Sequence, residues 1–371
     1  MTSNPLVQLG ALGQSPWLDY ITRDLLQSGE LSRMIANDGL RGQTTNPTIF
    51  EKAVAGSDRY DADIRALADE GLTPGEIFEA LAVADVQTAC DMFRPLYNST
   101  NGGDGFVSIE VSPELANDTE GTVREAERLW AAVNRPNVMI KIPGTQEGLP
   151  AITRCLARGI NVNVTLLFGI GRYREVMEAY LKALEQRRAK REPLNRLASV
   201  ASFFVSRVDT RLDSILDKHA DASARALRST IAIANAVVAY DAFLQVFRGP
   251  RWDALAKDGA RVQRPLWAST STKDPKLPDV YYVEALIAVD TVNTLPPDTL
   301  KAYRDHGEPK ARILDQLAQA QARLSALAKA GIKLEEHTTF LEIDGVEKFK
   351  ASFTTLLAGV GNKALALTGA D

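Results

Sequence analysis

The sequence has few of the residues on which metal sites, disulfide frameworks and histidine-based catalysis depend. Only two cysteines and three histidines occur among 371 residues. Cys90 and Cys155 stand too far apart to form a disulfide framework or the paired spacing of a zinc site. His219, His306 and His337 fall in helical or loop segments and not at strand ends, which argues against a histidine-rich metal site or a catalytic histidine.

The sequence also lacks the signatures of several partner classes. Its net charge is −4 with a pI of about 5.6, so no global basic field attracts nucleic acid. The amino-terminal segment has no charged region followed by an apolar one, and the apolar stretch Ile231–Tyr240 is too short to cross a bilayer. Gly169-Ile170-Gly171 lacks the third glycine of a dinucleotide fingerprint. We therefore expect a cytoplasmic protein without membrane, nucleic-acid or nucleotide partners.

What recurs along the chain is a short apolar run, a turn and then a helical stretch. Near-continuous apolar runs with β-branched residues are typical of parallel strands that are buried on both faces. Eight alternating units favour a closed (β/α)8 TIM barrel over an open α/β sheet. The predicted strands are Pro16–Asp19, Leu40–Thr44, Phe106–Val111, Val138–Ile142, Ile160–Leu166, Ala198–Phe203, Pro265–Ser269 and Val289–Val292.

No low-complexity linker divides the chain, so we expect one barrel domain over residues 1–371. Additional helical segments are predicted around 183–197 and 301–371. The second segment is a carboxy-terminal helical extension that includes Ala311–Lys329 and an amphipathic helix over Gly345–Leu357.

Polar side chains occupy the carboxyl ends of the predicted strands, where apolar residues would otherwise be expected. In barrels of this kind that end carries the chemistry, so the pattern predicts a polar site at one face. The residues concerned are Asp19, Thr44, Asn46, Glu110, Lys141, Asn163, Thr165, Ser202 and Ser269.

Lys141 is the most informative of these residues, because it lies inside the apolar run Val138–Ile142. Burial favours a neutral amine, and a neutral amine is the form that attacks a carbonyl group. The alternative is an ammonium that reaches solvent or pairs with Glu147. Asp19 and Glu110 are candidates for acid/base catalysis beside the amine, although a helix cap at Asp19 and a buried ion pair at Glu110 are equally open.

A phosphate site is predicted after the sixth and seventh strands. Arg207 stands at the start of a helix, where a guanidinium suits a phosphate, and the alternative is a salt bridge with Asp209 or Asp213. The hydroxyl groups and the lysine of Ser269–Lys273 would share that phosphate.

Five ordered motifs resemble those of the transaldolase family, and together they run from about Trp17 to Pro297. They are Gln43-Thr44-Thr45-Asn46-Pro47-Thr48-Ile49-Phe50, Ser108-Ile109-Glu110-Val111, the segment Val138–Leu149, Asn163-Val164-Thr165-Leu166-Leu167-Phe168 and the segment Asp290–Pro297. The resemblance implies a transferase of the pentose phosphate pathway. It would move a dihydroxyacetone unit from sedoheptulose 7-phosphate to glyceraldehyde 3-phosphate, giving erythrose 4-phosphate and fructose 6-phosphate, without metal or organic cofactor.

The resemblance also implies residue roles. Lys141 would form the Schiff base, Asp19 would take the substrate proton during C–C cleavage, and Glu110 with Thr165 would hold a proton-relaying water. The dihydroxyacetone moiety would be bound by Asn46, Asn163 and Ser202, with Thr44 in support, and the phosphate by Arg207.

One departure from the family pattern concerns the phosphate. Many transaldolases carry an arginine two residues after the serine of the seventh strand, where this chain has Ser271 after Ser269. We expect Lys273 to supply the charge, without the bidentate fork of a guanidinium. Two other functions remain open, an aldolase that releases free dihydroxyacetone and a catalytically silent barrel. The chain length, Glu110 and the intact Lys141 favour the transferase, as a monomer or homodimer acting on sugar phosphates.

Overall fold

The computed structural model describes residues 4–369 and contains a closed barrel of eight parallel strands. Each strand pairs with the next one along the chain, and the last strand pairs with the first, so the sheet has no free edge. The (β/α)8 barrel predicted from the sequence is confirmed. The strands are β1 (Gln14–Asp19), β2 (Gly42–Thr44), β3 (Phe106–Glu110), β4 (Val138–Pro143), β5 (Val162–Leu167), β6 (Ser199–Phe204), β7 (Arg264–Ala268) and β8 (Thr291–Leu295).

The predicted strands agree with these bounds to within about two residues, except at β8. The run Val289–Val292 was expected to be the strand, yet β8 is Thr291–Leu295. Val289 is 52% exposed and Asp290 has a left-handed φ of 58°, so the chain is still turning there. The correction moves the carboxyl end of this strand from Val292 to Leu295.

Helices surround the barrel and follow the strands in order. Thr73 caps the long helix that begins at Pro74, and its reciprocal hydrogen bonds with Glu76 form a capping box. The helices are α1 (Pro5–Ala11), α2 (Arg23–Gln27), α3 (Glu30–Asn37), α4 (Pro47–Ala55), α5 (Asp61–Asp69), α6 (Pro74–Ser99), α7 (Thr119–Val133), α8 (Gly148–Ala157), α9 (Ile170–Ala189), α10 (Ser206–Leu216), α11 (Ala222–Arg225), α12 (Ile231–Val246), α13 (Pro250–Lys257), α14 (Tyr281–Ala285), α15 (Pro297–His306), α16 (Leu317–Lys329) and α17 (Leu334–Thr368).

The prediction of an extra helical segment around 183–197 is wrong beyond residue 189. Helix α9 ends at Ala189, and Arg191 adopts a left-handed φ of 59° that stops the helical hydrogen bonding. The guanidinium of Arg187 is buried and donates to the carbonyl of Pro193, which holds the following segment as a turn. Arg187 is therefore a packing residue and not part of a solvated helix end.

The carboxy-terminal extension is helical, and its last helix lies over the carboxyl end of the barrel. Helix α17 packs against α4, α5, α6 and α10. A Cβ atom at Gly345 would come within 3.0 Å of Leu166, so α17 and the end of β5 approach closely. The amphipathic helix predicted over Gly345–Leu357 is thus the middle of a longer helix.

Within residues 4–369 no single helix is long and apolar enough to cross a membrane. By length and composition alone, α12 and α13 pass that test as a pair bent by 69°. Most of α12 is buried in the protein core, as its residue pattern predicts.

Candidate active site

A cavity of about 660 Å³ opens at the carboxyl ends of the strands. Every site residue predicted from the sequence lines it except Glu110 and Asn163, which lie directly behind the lining. The predicted residues in the wall are Asp19, Thr44, Asn46, Lys141, Thr165, Ser202, Arg207, Ser269 and Lys273. Because these residues come from five strands, the loops after β2 and β7 and the start of α10, only the closed barrel brings them together.

Lys141 reaches the cavity from β4, and its side chain is 6% exposed. Its Nζ atom lies 3.3 Å from Oε2 of Glu110 and donates a hydrogen bond of 3.0 Å to the carbonyl of Thr45. The alternative partner considered from the sequence, Glu147, does not hold the amine. The ring of Phe349 on α17 lies 5.8 Å from Nζ. The amine is therefore buried, held by one acid and covered by an aromatic ring.

The register of the sheet explains the contact between Lys141 and its acid. Glu110 is paired with Lys141 across β3 and β4, and Lys141 is paired with Asn163 across β4 and β5. Paired residues of neighbouring parallel strands point to the same face, so all three point into the barrel. A shift of one residue would turn the lysine away from the cavity.

Asp19 ends β1 and accepts a hydrogen bond of 2.8 Å from Thr44 Oγ1. Thr44 in turn lies 2.7 Å from Thr294 Oγ1 on β8. Loss of solvation raises the pKa of Asp19 above its ordinary value, and the charges of Lys141 and Arg207 and the bond from Thr44 oppose that rise. Asp19 is not a helix cap, since α2 is capped by Thr22.

Glu110 lies deeper, with a side chain that is 5% exposed. Burial raises its pKa, Lys141 opposes the rise, and the negative charge of Asp19 adds to it. Within the described part of the chain, the two carboxyl oxygens of Glu110 and the hydroxyl of Thr165 have no hydrogen-bond partner of good geometry. Buried polar atoms of this kind are suited to a water molecule or a substrate atom.

A row of hydrogen bonds orients the amide of Asn163. Its Nδ2 atom donates to Ser108 Oγ at 3.0 Å, and its Oδ1 atom accepts from Ser202 Oγ at 2.7 Å. Asn46 is fixed differently, because its Oδ1 atom caps α4 by accepting from the amide of Ile49 at 3.0 Å. The amide nitrogen of Asn46 thus keeps donors for a ligand in the cavity.

The candidate phosphate residues line the same cavity. Arg207 opens α10, and its guanidinium lies 5.2 Å from the ring of Phe204. The salt-bridge partners considered from the sequence are engaged elsewhere, Asp209 with the amide of Ala232 and Asp213 with Ser229. Loss of solvation lowers the pKa of Arg207. An anion in the cavity would therefore offset the free energy that burial of the guanidinium charge costs.

The other cation and hydroxyl groups of this wall come from the loop after β7. Ser269 has a left-handed φ of 56°, and its hydroxyl lies 3.0 Å from Ser206 Oγ. Ser271 and Lys273 line the same wall. The loop therefore offers hydroxyl groups and one ammonium beside Arg207.

Among the wall residues that were not predicted from the sequence, Thr294, Lys52 and Phe349 are the most informative. Thr294 was missed because β8 was placed too early, and it is visible once the strand end is corrected. Lys52 lies one helical turn after Thr48 on α4, a spacing that places both on one face. Phe349 comes from α17 and carries no local signal that connects it with the barrel.

Among residues 4–369 no cluster of three or more histidine, cysteine, aspartate or glutamate side chains is arranged to hold a metal ion. The groups around the amine of Lys141 are instead the carboxyls of Glu110 and Asp19 together with amides and hydroxyls. This arrangement can form and hydrolyse an imine and can move protons beside it.

Comparisons with known proteins agree with the geometry. The family described as transaldolase/fructose-6-phosphate aldolase matches residues 16–360. The chain is 52% identical to a transaldolase of Acidothermus cellulolyticus over 96% of both chains. It is 50% identical to a transaldolase of Thermobifida fusca over 98% of this chain and 100% of that one, and 49% identical to one of Frankia alni over 100% of both. The chain belongs to the transaldolase/fructose-6-phosphate aldolase family.

Proposed function

We propose that the chain is a transaldolase that transfers a dihydroxyacetone unit from sedoheptulose 7-phosphate to glyceraldehyde 3-phosphate. The products are erythrose 4-phosphate and fructose 6-phosphate, and the reaction is reversible. The observation that carries the proposal is the buried amine of Lys141, 3.3 Å from the Glu110 carboxyl, in a cavity that also contains Asp19.

The first half of the reaction makes the imine. Glu110 accepts a proton from the ammonium of Lys141, and the neutral amine attacks the ketose carbonyl to give a carbinolamine. Its hydroxyl group leaves as water after protonation through Glu110 and a water held between Glu110 and Thr165. Oε1 of Glu110 and the hydroxyl of Thr165 have no hydrogen-bond partner among the described residues, which supports this role.

The second half breaks and remakes a C–C bond. Asp19 takes the proton of the hydroxyl beside the bond, the aldose phosphate departs, and the bonding electrons move into the protonated imine. The resulting enamine attacks the acceptor aldehyde, and Asp19 returns its proton to the new alkoxide. Because the iminium is the electron sink, no metal ion or organic cofactor is required.

The remaining side chains bind the substrate. Asn46, Asn163 and Ser202 have amide and hydroxyl groups that suit the dihydroxyacetone moiety, and Thr44 orients Asp19. Arg207, Ser269 and Lys273 form a wall that suits the phosphate. The Nη1 atom of Arg207 is buried and has no hydrogen-bond partner among the described residues, which supports an anionic ligand there.

The molecular setting is part of the same proposal. The buried apolar residues form one continuous core cluster, which supports a single barrel domain over the whole chain. The scarcity of cysteine and the two buried, unpaired thiols are consistent with a cytoplasmic enzyme. The active form is a monomer or a homodimer, because the cavity is complete within one chain.

Borohydride trapping tests the mechanism. The protein is reduced in the presence of fructose 6-phosphate, with and without erythrose 4-phosphate, and its peptides are analysed by mass spectrometry. We expect a reduced three-carbon adduct on Lys141 that disappears when the acceptor is present. An adduct that the acceptor does not discharge indicates an aldolase instead. Active protein that gives no adduct on Lys141 would contradict the mechanism.

A further inference from the structure

The loop between β7 and α14 is anchored twice to α10, the helix that begins beside Arg207. This loop, residues 269–280, carries Ser269, Ser271 and Lys273 on the wall of the cavity. Neither anchor lines the cavity. Both connect α10, which carries Arg207, with the loop that carries Ser269 and Lys273.

The first anchor is a hydrogen bond to Asp209, a buried aspartate on α10. Asp209 Oδ2 accepts a hydrogen bond of 3.0 Å from the hydroxyl of Tyr282, which lies on α14 at the end of the loop. Its Oδ1 atom accepts from the amide of Ala232 at 2.7 Å, in the first turn of α12. Asp209 and Tyr282 are 2% and 3% exposed, so water does not compete for the bond.

The second anchor is an ion pair in the middle of the loop. Arg228 donates to Asp274 Oδ2 at 3.0 Å, one residue after Lys273. The same guanidinium lies 3.3 Å from Asp217 and 3.7 Å from Asp213, near the end of α10. Asp213 is itself held by two hydrogen bonds from Ser229, at 2.8 and 2.9 Å.

Lys273 depends more on such anchors than an arginine would. A guanidinium presents a rigid fork that matches a phosphate, whereas an ammonium on a flexible stem is a point charge whose place is set by its backbone. A loop that carries a lysine therefore has to be held at a fixed distance from Arg207. The two anchors fix this distance through α10.

We propose that Asp209 and Arg228 are positioning residues that fix loop 269–280 relative to Arg207 and so set the affinity for the phosphate group of the sugar. The inference rests on the proposed function in one respect, that the ligand is a phosphorylated sugar. It concerns binding, and it leaves the chemistry at Lys141 unchanged.

Two variants remove one anchor each. Tyr282→Phe removes the hydroxyl that donates a hydrogen bond to Asp209, and Arg228→Met removes the ion pair with Asp274. Tyr60→Phe is the matched control, because the Tyr60 hydroxyl donates a hydrogen bond of 2.8 Å to the buried Asp85, away from the cavity. The measurements are KM and kcat with fructose 6-phosphate, and the Kd for glucitol 6-phosphate, which has no carbonyl group and cannot form an imine.

We expect KM and Kd to rise about three- to tenfold in each anchor variant, as the loss of one hydrogen bond or ion pair predicts. kcat should stay within about twofold, and Arg228→Lys should recover part of the affinity because it keeps one charge. The control should change none of the three constants. Unchanged Kd in both anchor variants, or equal losses in the control, would overturn the inference. Binding of glucitol 6-phosphate does not need Lys141 chemistry, so failure of the transferase mechanism appears separately, as a missing adduct.

Discussion

At the scale of single residues, the two carboxyls of the site differ in how they are held. Asp19 has a hydrogen bond from the hydroxyl of Thr44, whereas Glu110 is held by the ammonium of Lys141. Burial raises the pKa of both groups, and each neighbour opposes the rise by stabilising the charged form. The contact from Thr44 therefore has a measurable consequence for pH dependence.

Thr44→Val should move the acid limb of the kcat/KM profile to higher pH. The Thr44 hydroxyl stabilises the Asp19 carboxylate, so its removal raises the pKa of Asp19 further. Asp19 must be unprotonated to accept the substrate proton, and activity is therefore lost earlier as the pH falls. Thr153→Val is the control, since the Thr153 hydroxyl donates to the carbonyls of Leu149 on α8 and Ala179 on α9, outside the cavity. An acid limb that stays in place or moves to lower pH would contradict the coupling.

Lys273→Ala should weaken the binding of phosphorylated sugars. The variant removes one of the positive charges on the phosphate wall, and KM for fructose 6-phosphate should rise about tenfold or more, as for the loss of a charge-assisted contact. Lys276→Ala is a matched control in the same loop, because Lys276 is exposed and does not line the cavity. If the KM values of the two variants agree, Lys273 does not replace the missing arginine.

At the scale of elements, α17 closes the site that the strands build. Phe349 covers Lys141, and Ser352 accepts a hydrogen bond of 2.9 Å from Thr48 on α4. The ring of Phe353 packs edge-on against Phe78 of α6 at 5.8 Å. These contacts fix α17 on α4 and α6, and its aromatic ring over Lys141 would limit the access of water to an imine there.

Phe349→Ala should increase the release of free dihydroxyacetone relative to transfer. Without the ring, water reaches the enamine and the imine more readily, and hydrolysis then competes with the acceptor. The ratio is measured as dihydroxyacetone formed per fructose 6-phosphate consumed, with saturating erythrose 4-phosphate. Phe340→Ala is the control on the same helix, since Phe340 is 44% exposed and outside the cavity. An unchanged ratio would show that α17 does not protect the imine.

The same element scale shows what the sequence could and could not predict. Strand interiors were recognisable because a parallel strand buried on both faces needs an apolar run, and the polar residues that end those runs identified most of the cavity wall. The error at β8 arose from Val289, whose side chain fits a strand although its neighbour Asp290 turns the chain. The position of Phe349 could not be predicted, because it depends on contacts between α17 and residues that are distant along the chain.

At the scale of the whole molecule, the two ends of the barrel serve different purposes. The carboxyl end carries the candidate active site, whereas the amino end carries a compact ionic network. Asp104 accepts from Arg264 at 3.0 Å, from Arg41 at 3.2 Å and from Ser15 at 3.0 Å. These groups join β1 and β7 with the segments that lead into β2 and β3. In barrels the amino end contributes mainly stability.

Asp104→Ala should therefore destabilise the fold without affecting the site. The substitution leaves two guanidinium groups without their shared acid, and we expect the free energy of unfolding to fall by about 2–4 kcal/mol, below the range for a fully buried pair because Arg41 is partly exposed. Urea denaturation measures this loss. Asp91→Ala is the control, since its pair with Arg135 lies at the surface and should be worth less than about 1 kcal/mol.

KM and kcat of the folded Asp104→Ala protein should match those of the unmodified chain, because the network lies at the end of the barrel remote from Lys141. A change in KM comparable to that of Lys273→Ala would mean that the amino end also shapes the cavity.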